Sequence, residues 1–241
     1  MQMLKQEKDM RLARVLASLM LAQMVIGILL NFHFLKPLLR YDGSVPAEQL
    51  TFVLGCATLL AMFVSSLNVA FGLLMPKAKV KEHQGMFIAL IAFASIGVAM
   101  SASEYAKLSE YVAFLSSTYS VDPVSSDTTL EHLKQMLATG RNEAHFSAIF
   151  VSSISLLFFY GLLYRAAMLP VYLAVFALFS TLFQLVAVGY TFFELSIPTI
   201  IQLPLVVTQI AVPVYFFVVG FKSETIDADC QIEQSSQQEA N

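Results

Sequence analysis

Residues 170–193 read PVYLAVFALFSTLFQLVAVGYTFF, and residues 199–221 read TIIQLPLVVTQIAVPVYFFVVGF. Neither stretch contains Asp, Glu, Lys, Arg or His. The hydrocarbon core of a bilayer is about 30 Å thick, and an α-helix needs about 20 mostly apolar residues to cross it. Each stretch is long enough, and only the turn Ser196-Ile197-Pro198 with its flanking residues separates them. Together they read as a hairpin of membrane spans. Four more stretches of the same kind precede them, at about 15–35, 50–75, 85–104 and 146–164. With 57% hydrophobic and 13% charged residues, the chain leaves no soluble-sized remainder to fold elsewhere. The expected fold is all-α: a polytopic membrane protein built as a six-transmembrane-helix bundle.

Charge placement orients the bundle. Lys5, Lys8, Arg11, Arg14, Lys77, Lys79, Lys81, Arg165 and Lys222 fall on one side of a six-span protein. Lys36, Arg40, Lys107, Lys134 and Arg141 fall on the other. The richer side reads as cytoplasmic, so both termini are expected inside a bacterial plasma (inner) membrane. The N-terminal run from Val15 to Leu35 is too long for the core of a signal peptide, and no small-residue cleavage site closes it. Residues 1–14 read as a cytoplasmic lead-in, and the acidic, Ser/Gln-rich residues 222–241 as a disordered tail. The net charge of -3 and the lack of a basic stripe exclude nucleic acid as a partner. Cys56 lies mid-span and Cys230 in the tail, so they do not pair.

Three places interrupt the regular pattern. Lys36-Pro37 is expected to end span one, because proline disfavours helix in the residue before it. The third helix continues past the membrane. Tyr105, Leu108, Val112 and Leu115 keep helical spacing, which gives a rod over 85–117 about 50 Å long. Asp122-Pro123 breaks it, Thr128-x-x-Glu131 starts a short helix, and Gly140 stops that helix. Its stripe of Leu130, Leu133, Met136 and Leu137 is expected to pack back on the third helix, forming a small extracytoplasmic helical cap over 104–142. Span six holds Pro204 and Pro213 around Gln209, which predicts a kink with exposed carbonyls beside an amide. A bent but ordinary packing helix is the competing reading.

Polar groups in or near spans are the candidate contacts. His33 and Asn31 at the end of span one, His145 at the start of span four, and Glu194 and Tyr190 at the end of span five share one side and depth. They either line an outward-facing pocket or reach water and headgroups from the span ends. Asn68, Gln184, Gln202 and Gln209 lie deeper, where such groups either bond neighbouring helices or face a cavity. No P-loop, dinucleotide-binding glycine pattern, nucleophile elbow, HExxH or CxxC is present, and the sequence calls for no cofactor and no metal.

The segment Leu203-Pro204-Leu205, through Gln209 and Tyr215 to Val219-Gly220-Phe221, resembles the last span of the DUF4386-type bacterial membrane family. Tyr160-Gly161-Leu162-Leu163-Tyr164-Arg165 with Leu169-Pro170, and Arg11-Leu12-Ala13-Arg14 before span one, are similar to that family's pattern as well. The resemblance implies a six-span inner-membrane protein of unassigned function. Gln209 stands where the family carries an acidic residue, which weakens any proton-handling role. Beyond the lipid bilayer itself, the leading expectation is a non-enzymatic protein that binds a partner protein or lipid-like ligand in a sensory or accessory role, with 104–142 as the recognition element. A small-molecule transporter or channel using span six is the alternative. A membrane-embedded enzyme is third, and it requires His33, His145 and Glu194 to converge.

Overall fold

The computed structural model describes residues 2–39, 46–121, 128–195 and 199–222. The turns expected at Tyr41-Asp42-Gly43 and Ser196-Ile197-Pro198, the break at Asp122-Pro123, Cys230 and the tail beyond Lys222 lie outside the described residues. Every regular element described is helical. In chain order these are α1 (Gln2–Leu29), a π-helical segment (Leu30–Leu35), α2 (Lys36–Leu39), α3 (Ala47–Leu73), α4 (Lys77–Val80), a 3₁₀ turn (Lys81–His83), α5 (Gln84–Val121), α6 (Thr128–Arg165), α7 (Val171–Thr191) and α8 (Thr199–Val218). Six helical stretches are long and apolar enough to cross a membrane. The protein is an all-α, six-span membrane bundle.

The spans form a ring in chain order. α1 packs on α3, α3 on α5, α5 on α6, α6 on α7 and α7 on α8, and α8 returns to α1. The closure is tight at the end of the bundle where α1 begins and α8 finishes (the terminal end). Gly220 has a φ of +83°, and a Cβ there would lie 2.8 Å from the Met10 sulfur. Only glycine meets both demands. Side chains cap carbonyls at this end: Lys79 Nζ donates to the Lys222 carbonyl at 2.9 Å, and a His83 ring nitrogen lies 3.1 Å from the Arg165 carbonyl oxygen.

Two hydrophobic clusters fill the ring. The larger, at the terminal end, joins Ala13, Leu16 and Ala17 to Phe71, Phe159, Tyr160, Val212 and Phe216. The smaller, at the far end, buries Tyr105, Leu108 and Val112 against Leu38, Leu50 and Ala57. The stripe on the extended third helix is therefore a packing face, as its spacing implies. The helix does not project alone, however. Ser65 Oγ donates to Ser101 Oγ at 2.7 Å, and counted from that bond the first residues of α3 are level with the Thr118 region. The large side chains left exposed, among them Phe52, Leu59, Ile88, Tyr172 and Ile200, form the lipid-facing surface.

Two expected helix ends are absent. Lys36-Pro37 does not end span one; the chain shifts to π-helix over Leu30–Leu35 and continues helical to Leu39. A π segment changes which carbonyl faces the missing proline N–H, so the helix passes the proline instead of breaking. Gly140 does not stop a separate cap helix, because α6 runs unbroken from Thr128 to Arg165. One interior glycine costs a helix only about 1 kcal/mol, which long packing against α5 outweighs. Of the expected cap stripe, Leu130 and Leu137 are half-buried, whereas Leu133 and Met136 are exposed.

Small residues set the helix spacing where α5 meets α6. A Cβ on Gly97 would lie 3.0 Å from Ser152 Oγ and 3.8 Å from Ser152 Cα. Gly97→Leu is expected to push α5 from α6 and cost about 1–3 kcal/mol. Gly55→Leu, at a position with nothing within 4 Å of an added Cβ, should leave stability unchanged or higher. Thermal unfolding of the two variants in the same detergent makes the comparison.

Candidate functional site

A cleft of ≈ 540 Å³ lies inside the ring, among α1, α3, α6 and α8. Its walls are Met20, Gln23, Met24, Gly27, Ile28, Asn31, Phe32, Phe71, Leu156, Tyr160 and Gln209. Met20, Phe71 and Tyr160 also belong to the terminal-end cluster, so that cluster is the floor. The other end is open, where Asn31 and Phe32 come from the π segment and Phe32 is 72% exposed. The size is that of an ordinary small-molecule site, and a mostly apolar lining with a few polar groups is the usual composition.

Four polar side chains face the cleft. Gln23 Nε2 donates to Asn68 Oδ1 at 3.0 Å and to the Val64 carbonyl at 3.3 Å, which fixes the amide across α1 and α3. Asn31 Nδ2 donates to the Gly27 carbonyl at 2.9 Å. The Tyr160 ring is 0% exposed, and its hydroxyl has no hydrogen-bond partner among the described residues. No hydrogen bond among the described residues engages the Gln209 amide. α8 stays helical through both prolines. Pro213 nonetheless has no N–H to offer the carbonyl four residues back, which is that of Gln209. Thr208 Oγ1, one residue away, bonds instead to the Pro204 carbonyl at 3.0 Å and to Ser180 Oγ at 3.1 Å, tying α8 to α7.

A second polar cluster joins α5 to α6. Glu104 Oε1 lies 2.7 Å from His145 Nδ1 and 3.4 Å from Arg141 Nη2. Glu104 and Arg141 are each 6% exposed. Arg141 Nη1 reaches Asn142 Oδ1 at 3.2 Å, while its Nε has no partner. Counted along α6, His145 is about 30 Å from Arg165, one hydrocarbon thickness. The cluster therefore clamps the hairpin near the level where lipid gives way to headgroups.

The candidate residues thus separate. Gln209 and Asn31 share the cleft, and Asn68 supports it from behind through Gln23. Gln184 and Gln202 are half-buried and do not line it. His145 joins Glu104. His33 is exposed, its ring edge-on to Phe34 at 5.3 Å. Tyr190 is exposed, and Glu194 is exposed in the turn after α7 with a left-handed φ of 58°. Among the described residues no three His, Cys, Asp or Glu side chains are grouped to hold a metal. His33, His145 and Glu194 consequently do not form the convergent set that the enzyme reading requires.

Gln23, Tyr160, Glu104 and Arg141 were not legible as site residues. Arg141 and His145 are four apart, which places them on one face of a helix, but that spacing signals a pair only if the helix passes Gly140. Gln23 carried a signal of its own, as an amide inside an apolar run.

No protein-family model, curated protein or solved structure matches this chain.

Glu104→Ala is expected to cost about 3–5 kcal/mol, because it strands the Arg141 guanidinium in a buried site. Replacing both charges, as Glu104→Met with Arg141→Met, should recover most of that loss. Unfolding midpoints in detergent for Glu104→Met, Arg141→Met and the double variant give the coupling. Additive losses would show that the two charges do not act together.

Proposed function

We propose that this chain is a non-enzymatic integral membrane protein that binds a lipid-like ligand in the cleft between spans one, two, four and six. One observation carries the reading: an apolar hollow within the helix ring has uncharged polar side chains on its walls, and one of them, Tyr160, has a buried hydroxyl with no partner among the described residues. Hydrocarbon cannot satisfy such groups, so a ligand bearing polar atoms is favoured over a bare acyl chain. A sensory or accessory role follows from binding without chemistry. Residues 104–142, clamped by Glu104, Arg141 and His145, are on this reading the surface offered to a partner protein. Membership of the DUF4386-type family, resting on the residues quoted above, is part of the same proposal.

The setting proposed is a bacterial plasma membrane with the terminal end cytoplasmic. Its support is the excess of Lys and Arg on the terminal side. A second reading, small-molecule transport, draws on span six, where Pro213 has no N–H to offer the Gln209 carbonyl and Gln209 lines the cleft. The two readings differ in whether the floor formed by Phe71 and Tyr160 ever opens.

Two measurements test the proposal. Protein purified in mild detergent should retain a lipid detectable by native mass spectrometry, and Met24→Trp, which fills the cleft, should lose it. Retention unchanged by that substitution would place the lipid elsewhere. With both native cysteines replaced by serine, a membrane-impermeant maleimide should label Glu131→Cys in intact cells and Lys79→Cys only after permeabilisation. The reverse pattern would invert the topology.

A further inference from the structure

We infer that the ligand of the cleft is an uncharged lipid with a hydroxyl-bearing head, its hydroxyls held by Tyr160 and Gln209. The inference rests on the cleft reading above and narrows it from lipid-like molecules in general to one chemical class.

The absence of charge is the first argument. None of the residues forming the walls is Asp, Glu, Lys, Arg or His. A carboxylate, phosphate or ammonium head would enter this hollow with no counter-ion, which a low-dielectric site strongly disfavours. Glu104, Arg141 and His145 are engaged with one another and do not line the cleft.

The balance of donors and acceptors is the second. Gln23 Nε2 donates to two protein carbonyl oxygens and Asn31 Nδ2 to one, and the side-chain oxygens of both residues remain to accept. Gln209 adds a further side-chain oxygen. Against these acceptors stand the second Asn31 N–H, the Gln209 amide nitrogen and the Tyr160 hydroxyl. A head that only accepts, such as an ester or ketone, would serve these donors and leave the acceptors unmet. A hydroxyl both donates and accepts, so a head carrying one or two of them matches the walls.

The third argument is Tyr160 itself. It is fully buried, it forms part of the cleft floor, and its hydroxyl has no partner among the described residues. A buried phenol normally bonds to something. One trapped water would satisfy it, but a water occupies about 30 Å³, a small part of ≈ 540 Å³. Met20, Met24, Phe71 and Leu156 surround the remaining space with apolar surface that suits a hydrocarbon chain and repels further water. Ile28 and Phe32 at the mouth are exposed, which leaves the rest of that chain a way out into the bilayer.

The chain has no tryptophan, so a single introduced one reports without background. Phe32→Trp places it at the mouth. Leu59→Trp, 73% exposed on α3 and outside the cleft, gives the bulk-lipid control. Both proteins are placed in nanodiscs and titrated with three probes sharing one dibrominated octadecanoyl chain: the monoacylglycerol, the free acid as its anion, and the methyl ester. The expected result is saturable quenching at position 32, above that at position 59, for the monoacylglycerol alone. Tyr160→Phe, which keeps the ring in the core, should weaken its binding about five-fold, the worth of one neutral hydrogen bond. Gln209→Leu should do at least as much. Equal excess quenching by all three probes would overturn this inference and leave the cleft as a site for acyl chains. Preference for the acid or the ester would also overturn it. No excess with any probe would overturn the cleft reading as well.

Discussion

Hydrocarbon offers no hydrogen bonds, so every polar atom within the bundle must find its partner in the protein or in something the protein holds. Most do. The hydroxyls of Ser153, Ser180, Thr181 and Thr208 bond back to carbonyls of their own helices. Ser65 and Ser101 bond across helices, as do Gln23 and Asn68. Against that background the few unmet groups carry information. Among the described residues, the buried Tyr160 hydroxyl is unmet beside the hollow that Gln209 lines, and Arg141 Nε is unmet inside a charged clamp. The two places differ in kind. The clamp has its charges opposed and holds two helices together, whereas the hollow has uncharged polar side chains on an apolar wall.

The shape of the bundle follows from where small and large residues meet. Gly72, Gly97 and Gly161 receive Ile91, Ser152 and Met86 at distances no Cβ would permit without displacement, so α3, α5 and α6 approach closely. At the terminal end, bulky side chains from nearly every span interlock. Towards the far end the second cluster involves only the first three spans. Nothing equivalent fills the side facing α8. The hollow is the consequence of a ring packed at one end by all its members and at the other by half of them.

The six spans were legible because lipid demands length and apolarity, and both are local properties. The apolar stripe at Tyr105, Leu108 and Val112 was legible for the same reason, since helical spacing reveals a face. Its partner was not, because Leu38 lies beyond a proline that sequence rules treat as a stop. Gly140 misled in the same way. Each residue has a local cost of a few kcal/mol at most, and tertiary packing over a long helix exceeds it. Gln209 stood out through its flanking prolines and proved to line the hollow. Tyr160 did not stand out, because a tyrosine among phenylalanines and leucines looks like filler until its hydroxyl is found without a neighbour. His33, Tyr190 and Glu194 shared a depth in the sequence, but depth says nothing of azimuth around the ring, and the fold leaves these three exposed.

The contact between Met10 and Gly220 joins the first span to the last. A helix ring sealed in that way has no complete wall until its final member arrives. During synthesis, spans one to five must wait in the membrane with the α8-facing side of α1 open to lipid or to whatever chaperones insertion. The seal is made by residues just beyond α8, so a chain truncated anywhere within α8 loses the closure itself, not merely one sixth of the bundle. Closure of the ring thus depends on the whole of α8, and the hollow beside Gln209 is walled only when that helix is in place.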